Sequence, residues 1–117
     1  MNTLVTSTAE RRQLARRARD AFPPMGIYAI RNRSSGQVRI ASSRNVPGAI
    51  NRAGFELRMG SHPDKALQAD WKRDPAAISF EVIELVKKRA DPGFDYAAEL
   101  SALEAFYRVE LCAGSPA

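Results

Sequence analysis

The apolar positions of this chain fall into segments whose spacing changes from strand-like to helix-like and back. Gly26-Ile27-Tyr28-Ala29-Ile30-Arg31-Asn32 alternates and is rich in strand formers. Arg33-Ser34-Ser35-Gly36 reads as a tight turn, and Gln37-Val38-Arg39-Ile40-Ala41-Ser42 alternates again, so the pattern predicts a β-hairpin. Asn45 is placed to cap a helix starting near Val46, with Pro47 in its first turn and Gly60 just past its end. That helix carries Ile50, Phe55, Leu57 and Met59. Asp64 caps a second helix with Leu67 and Trp71 inward, and Asp74-Pro75 stops it. Residues 78–85, ISFEVIEL, alternate most clearly of all. After the Ala90-Asp91-Pro92-Gly93 loop, Leu100, Leu103, Tyr107 and Leu111 repeat at helical spacing over 96–111. Trp71, Phe80 and Phe106 are assigned to the core because large aromatics are mostly inside.

The N-terminal stretch differs. Ser7-Thr8-Ala9-Glu10 is a capping box, and a helix is expected from there to about Ala21, before Phe22-Pro23-Pro24. Its apolar stripe is thin (Leu14, Ala15, Ala18 and Phe22), while Arg11, Arg12, Arg16, Arg17 and Arg19 cover most of the remainder. The element order is therefore α-β-β-α-α-β-α. That makes an α/β (α+β) fold with a small antiparallel-rich three-stranded sheet flanked by helices. The expected organisation is a basic helix and proline linker over 1–24, a domain over 25–112 and a tail over 113–117.

Composition narrows this further. At 117 residues the chain suits one domain, and a domain of that size buries roughly two-thirds of its unfolded surface. The single cysteine, Cys112, excludes an internal disulfide and a cysteine-rich zinc site; it fits a reducing cytoplasm. No apolar run approaches the roughly 20 residues that span a bilayer, so no membrane partner is expected. Near the start only Leu4 and Val5 precede polar residues, so no signal segment is expected either.

The net charge of +5 is unevenly spread. Residues 1–60 hold eleven Arg, no Lys and three acids, a net +8, whereas residues 61–117 hold seven bases and ten acids, a net −3. An arginine-only basic half suits an anionic partner, because the guanidinium fork matches phosphate oxygens. The competing explanation is a GC-rich genome that writes Arg for Lys. Oligomeric state is left open.

Gly26-Ile27-Tyr28, the polar turn and the second strand resemble the GIY-YIG nuclease superfamily. The resemblance continues through Gly60-Ser61-His62, Lys65-Ala66-Leu67-Gln68-Ala69-Asp70-Trp71, Phe80-Glu81-Val82-Ile83 and Leu103-Glu104-Ala105-Phe106-Tyr107. It spans about Met25 to Leu111 and looks most like the branch with phage homing endonucleases and small stand-alone bacterial members. It implies phosphodiester cleavage by one divalent metal, Mg2+ or Mn2+, and a water nucleophile. In that family a helix glutamate holds the metal, a hairpin tyrosine helps activate the water and a helix arginine stabilises the charged phosphate. Those residue types suit the chemistry. A carboxylate is a hard ligand for Mg2+, the metal offsets phosphoryl charge and acidifies its water, and the guanidinium steadies the transition state.

Carried over, the resemblance implies catalytic roles for Tyr28, His62 and Glu104, with Glu104 as the metal ligand. The second motif has decayed to Arg39-Ile40-Ala41, losing its tyrosine and its glycine. The family arginine falls on Ala49 and the histidine one turn later on Ala53. Arg44 or Arg52 is the available substitute guanidinium. Arg12, Arg16, Arg19 and Arg39 are the candidate nucleic-acid contacts, with DNA ahead of RNA. The expected function is therefore nucleic-acid binding on a nuclease scaffold with weak or lost cleavage. The alternatives are an active Mg2+-dependent endonuclease using Arg44 or Arg52, and a protein-interaction module. Each residue also has a plainer reading. Glu104 would be an exposed helix carboxylate paired with Arg108, Tyr28 a half-buried strand aromatic, His62 a loop histidine and Arg39 a solvent-facing charge.

Overall fold

The computed structural model describes residues 8–13 and 22–112. Three antiparallel strands, β1 (Gly26–Asn32), β2 (Val38–Ser43) and β3 (Ile78–Leu85), form a sheet in the order β2-β1-β3. Helices α1 (Val46–Met59) and α2 (Lys65–Arg73) cover one face, and α3 (Tyr96–Cys112) crosses β2 and β1 on the other. Because β1 is central and covered on both sides, its apolar residues are buried in both directions. Ile30 and Tyr28 pack toward Leu57, Leu67 and Trp71. Ile27 and Ala29 pack toward Ile40, Leu103, Tyr107 and Leu111. A third cluster of Met25, Val86 and Leu100 closes one end of the sheet, with Phe22 and Tyr96 against it.

Local rules set the element ends. At the hairpin, the Asn32 side chain accepts from the Ser34 and Ser35 amides at 2.9 and 3.2 Å. Such a side-chain-closed turn leaves the backbone donors paired. Asn45 Oδ1 accepts from the Gly48 amide at 3.1 Å to start α1. Gly60 ends the helix in the left-handed region, φ 77°, where a side chain would be strained. Asp64 caps α2 through the Leu67 amide, and a short 3-10 turn, Pro75–Ala77, leads into β3.

One irregularity bears on the site. β3 is out of step with β1 between Ile27 and Tyr28, which face Glu84 and Val82 respectively. This bulge turns successive residues Ile83 and Glu84 toward α3. There Ile83 joins the cluster with Leu103, and Tyr107 Oη donates to Glu84 Oε1 at 2.5 Å.

One sequence assignment is corrected. Phe106 is 53% exposed, not in the core. It lies about 100° around α3 from the stripe of Leu100, Leu103, Tyr107 and Leu111 that meets the sheet; its ring instead stands edge-on to Tyr107, centroids 5.0 Å apart. Of Ile50, Phe55, Leu57 and Met59 on α1 only Leu57 is fully buried, alongside Val46, and Phe55 and Met59 face outward two and six residues away from the inward stripe at Ala53. The expected N-terminal helix is present at residues 8–13, whose side chains are exposed; the remainder of that expectation, with Ser7, lies outside the described residues.

Candidate functional site

The candidate residues gather in two clefts on either side of β2. The larger, of about 690 Å3, is lined by Tyr28, Arg39, Ala41, Ala53 and His62, among others. Tyr28 enters from the centre of β1, opposite Ala41 on β2. Arg39, opposite Ile30, projects from the same face, and its Nε lies 2.9 Å from Asp64 Oδ2. Asp64 thus serves twice, since its other oxygen caps α2. The Leu67 amide is the main cause holding the Asp64 carboxyl below its usual range; partial burial opposes this and the Arg39 guanidinium assists. Arg39 therefore neither points freely to solvent nor stands unpaired.

His62 is set by two hydrogen bonds. Its amide donates to Gln68 Oε1 at 3.0 Å, and its Nδ1 accepts from the Asp64 amide at 3.0 Å. With Nδ1 occupied as an acceptor, the neutral ring carries its proton on Nε2, so it offers a donor rather than a base. Gln68 is buried, and its Nε2 donates to the Leu57 carbonyl at 3.0 Å, which ties the end of α1 to the histidine loop. The signal in the sequence was a polar residue on the inward stripe of α2, between Asp64 and Trp71.

The smaller cleft, of about 300 Å3, is lined by Ser42, Ser43, Arg44, Ser101 and Glu104. Glu104 projects from the flank of α3 beside β2. Ser42 Oγ donates to its Oε1 at 2.7 Å, and Arg108 Nη2 sits 2.6 Å from its Oε2. The same Arg108 nitrogen reaches the Ile40 carbonyl at 3.4 Å, and Arg108 lines the larger cleft. The Glu104–Arg108 pair therefore separates the two clefts.

Their electrostatics are connected. Burial, and secondarily the Glu104 charge, push the Tyr28 phenol above its ordinary pKa, so it is neutral at physiological pH. Replacing Glu104 by Gln removes the second cause and leaves the first. The Tyr28 pKa in Glu104→Gln should fall toward the ordinary phenol value while staying above it, as followed by NMR titration of the labelled ring carbon. A pKa unmoved by the substitution would separate the two clefts.

The structure brings Tyr28, His62 and Arg39 into one cleft and Glu104 and Arg44 into the other. Arg52 lines neither; it is 80% exposed and pairs with Glu56 at 3.5 Å. Arg12 is exposed on the helical segment at 8–13, and Arg16 and Arg19 lie outside the described residues. Ser42 and Asp64 escaped the sequence reading as site residues because their partners lie 62 and 25 positions away.

A divalent ion is a poor fit to this arrangement. Mg2+ needs one or two carboxylates, with water and phosphate completing its shell, so Glu104 alone would meet the minimum. Here one Glu104 oxygen holds the Ser42 hydroxyl and the other a guanidinium, a positive charge where the ion requires a negative ligand. Among the described residues no group of three or more His, Cys, Asp and Glu side chains is arranged to hold a metal.

No family model matches the chain, and no curated protein matches its sequence. Solved structures do. The catalytic domain of homing endonuclease I-TevI shares 21% identity over 77% of this chain and 90% of that domain, with a TM-score of 0.60. A glutamate-to-alanine mutant of the intron endonuclease I-TevI catalytic domain shares 19% identity over 75% and 84% of the two chains, also with a TM-score of 0.60. I-TevI is a GIY-YIG homing endonuclease, and three antiparallel strands between helices, with Gly26-Ile27-Tyr28 on the central strand, give this chain the GIY-YIG nuclease fold.

Proposed function

We propose that this protein binds nucleic acid on a GIY-YIG scaffold and cleaves it weakly or not at all. The observation that carries the reading is the sheet-facing stripe of α1. Val46, Ala53 and Leu57 are buried along it, with Ala49 partly buried one turn before Ala53. Methyl groups thus occupy the two positions where the family resemblance places an arginine and a histidine. A methyl cannot stabilise a developing phosphoryl charge, so the scaffold keeps a cleft and loses chemistry. The arginine-only charge of residues 1–60 supports a polyanionic partner, and the similarity to an endonuclease domain favours DNA over RNA.

Binding should be salt-sensitive. Each phosphate contact that releases counterions steepens the fall of log affinity with log salt by roughly 0.7 to 0.9. Replacing Arg12, Arg16 and Arg19 together by Ala should flatten that slope in a fluorescence titration with single- and double-stranded DNA. An unchanged slope would remove the N-terminal arginines from the interface. Absence of any salt-sensitive binding would favour a protein-interaction module instead. A second reading, an Mg2+-dependent endonuclease, is favoured by one observation: of the two substitute arginines, Arg44 lines the smaller cleft together with Glu104. Mg2+-dependent nicking that is lost in Arg44→Ala would establish that reading.

A further inference from the structure

Arg108 has a more specific place in this site than its one-turn pairing with Glu104 requires. Pairs at this spacing on exposed helices usually contribute little and hold neither partner firmly. Here the carboxylate is anchored from the far side by the Ser42 hydroxyl, and the guanidinium is shared between Glu104 and the Ile40 carbonyl. Both of those contacts use Nη2, and among the described residues no hydrogen bond engages Nη1 or Nε, while Arg108 lines the larger cleft. Glu104 lines the smaller cleft and Arg108 the larger, so the cation is the half of the pair presented to Tyr28, Arg39 and His62.

We infer that Arg108 occupies the electrostatic role of a divalent ion in this site, seating a phosphodiester in the larger cleft without metal. The inference rests on the nucleic-acid reading above. A carboxylate-anchored guanidinium does one part of what a metal does: it bridges a protein carboxylate and a phosphate oxygen, with a planar fork suited to bidentate contact. It cannot do the other part. A guanidinium stays protonated, exchanges no ligand for water and generates no hydroxide, so it retains the phosphate without supplying a nucleophile. Arg39, backed in the same way by Asp64, supplies a second fork in the same cleft. The carboxylate behind each guanidinium cancels most of its long-range charge. The pair therefore positions a phosphate, and attraction at a distance comes from the basic N-terminal half.

The test measures two quantities on the full chain: binding of a short fluorescent DNA oligonucleotide in EDTA and in Mg2+, and binding of Mn2+ alone by the loss of its free EPR signal. Wild type should bind the oligonucleotide no more tightly in Mg2+ than in EDTA, Mg2+ weakening it only as competing salt does, and take up Mn2+ weakly. Arg108→Ala should bind the oligonucleotide about tenfold more weakly, the size expected for one charge-assisted phosphate contact. It should also bind Mn2+ about tenfold more tightly, because a repelling cation has left the Glu104 carboxylate. That gain should vanish in the Glu104→Ala, Arg108→Ala double variant. Arg108→Lys keeps the charge and should still exclude Mn2+, while losing the bidentate fork and part of the oligonucleotide affinity. Arg108 is 58% exposed, so these variants should fold, and circular dichroism checks that they do. Wild type binding Mn2+ as tightly as Arg108→Ala, or gripping the oligonucleotide more tightly in Mg2+ than in EDTA, would overturn the inference. Complete absence of oligonucleotide binding by wild type would remove the nucleic-acid reading and the phosphodiester part with it. The Mn2+ arm would still decide whether Arg108 excludes the metal.

Discussion

Given plasmid DNA and Mg2+, the wild-type protein should nick at least about a hundred- to a thousandfold more slowly than the I-TevI catalytic domain. Loss of one preorganised donor to a developing phosphoryl charge typically costs about 2.7–4 kcal/mol, which is that factor. In this chain the positions that the family resemblance assigns to such groups hold Ala49 and Ala53, and the second-motif tyrosine position holds Arg39, tied to Asp64 at 2.9 Å. His62 presents its Nε2 proton, so it donates and does not abstract. The deficits will not simply add, because residues acting as a unit are non-additive. Ala49→Arg alone restores a guanidinium but leaves Glu104 paired with Arg108. Ala49→Arg combined with Arg108→Ala frees the carboxylate as well, and of the two should gain more metal-dependent nicking on agarose gels. Robust Mg2+-dependent cleavage by wild type, abolished by Glu104→Ala, would overturn the degenerate-site reading and turn attention to Arg44.

Gly26→Ala should lower stability by about 3 kcal/mol, at the upper end of the usual cost of overpacking a close-packed interior. A Cβ at Gly26 would run into the Glu84 carbonyl oxygen and would stand 2.9 Å from Leu85 Cα and 3.0 Å from the Glu84 carbonyl carbon. All three are backbone atoms, so no flexible side chain can give way. β1 would have to part from β3 at the bulge, and β1 is the strand that both other strands pair with. With a total stability of roughly 5–15 kcal/mol for such domains, the loss is a large share, and Tm should fall by about 10–20 °C. Gly54→Ala is the control. Its added methyl meets only the Arg58 guanidinium at 3.3 Å, and removing a glycine from a helix interior should be neutral or stabilise by about 0.5–1 kcal/mol. Equal Tm values for the two variants by differential scanning calorimetry would show that β1 and β3 can separate at this point without cost. The same geometry explains why the first residue of the Gly26-Ile27-Tyr28 motif is glycine: the neighbouring strand passes too close for any side chain.

Much of the fold was legible in the sequence because its determinants are local. The strands at 26–32 and 78–85 follow from alternation, and the ends of α1 and α2 from Asn45, Gly60, Asp64 and Asp74-Pro75, each acting within a turn of its own position. The motif order was sufficient to name the fold, and the inward stripes of α2 and α3 were readable from 3.6-residue spacing. Phe106 was not, since apolarity alone does not say which side of a helix faces the sheet when Phe106 and Tyr107 are adjacent; the crossing of α3 over β2 decided it. The site was decided almost wholly by tertiary structure. Arg39 meets Asp64, Ser42 meets Glu104 and Arg108 meets Ile40 across 25, 62 and 68 residues. The sequence by itself determined which side chains were available: Glu104 on α3, an arginine in place of a tyrosine, alanines in place of an arginine and a histidine. Only closure of the sheet and the docking of α3 along β2 determined which of them touch. Hydrogen bonds and ion pairs act over about 3–4 Å, and no spacing rule carries that distance across a strand crossing.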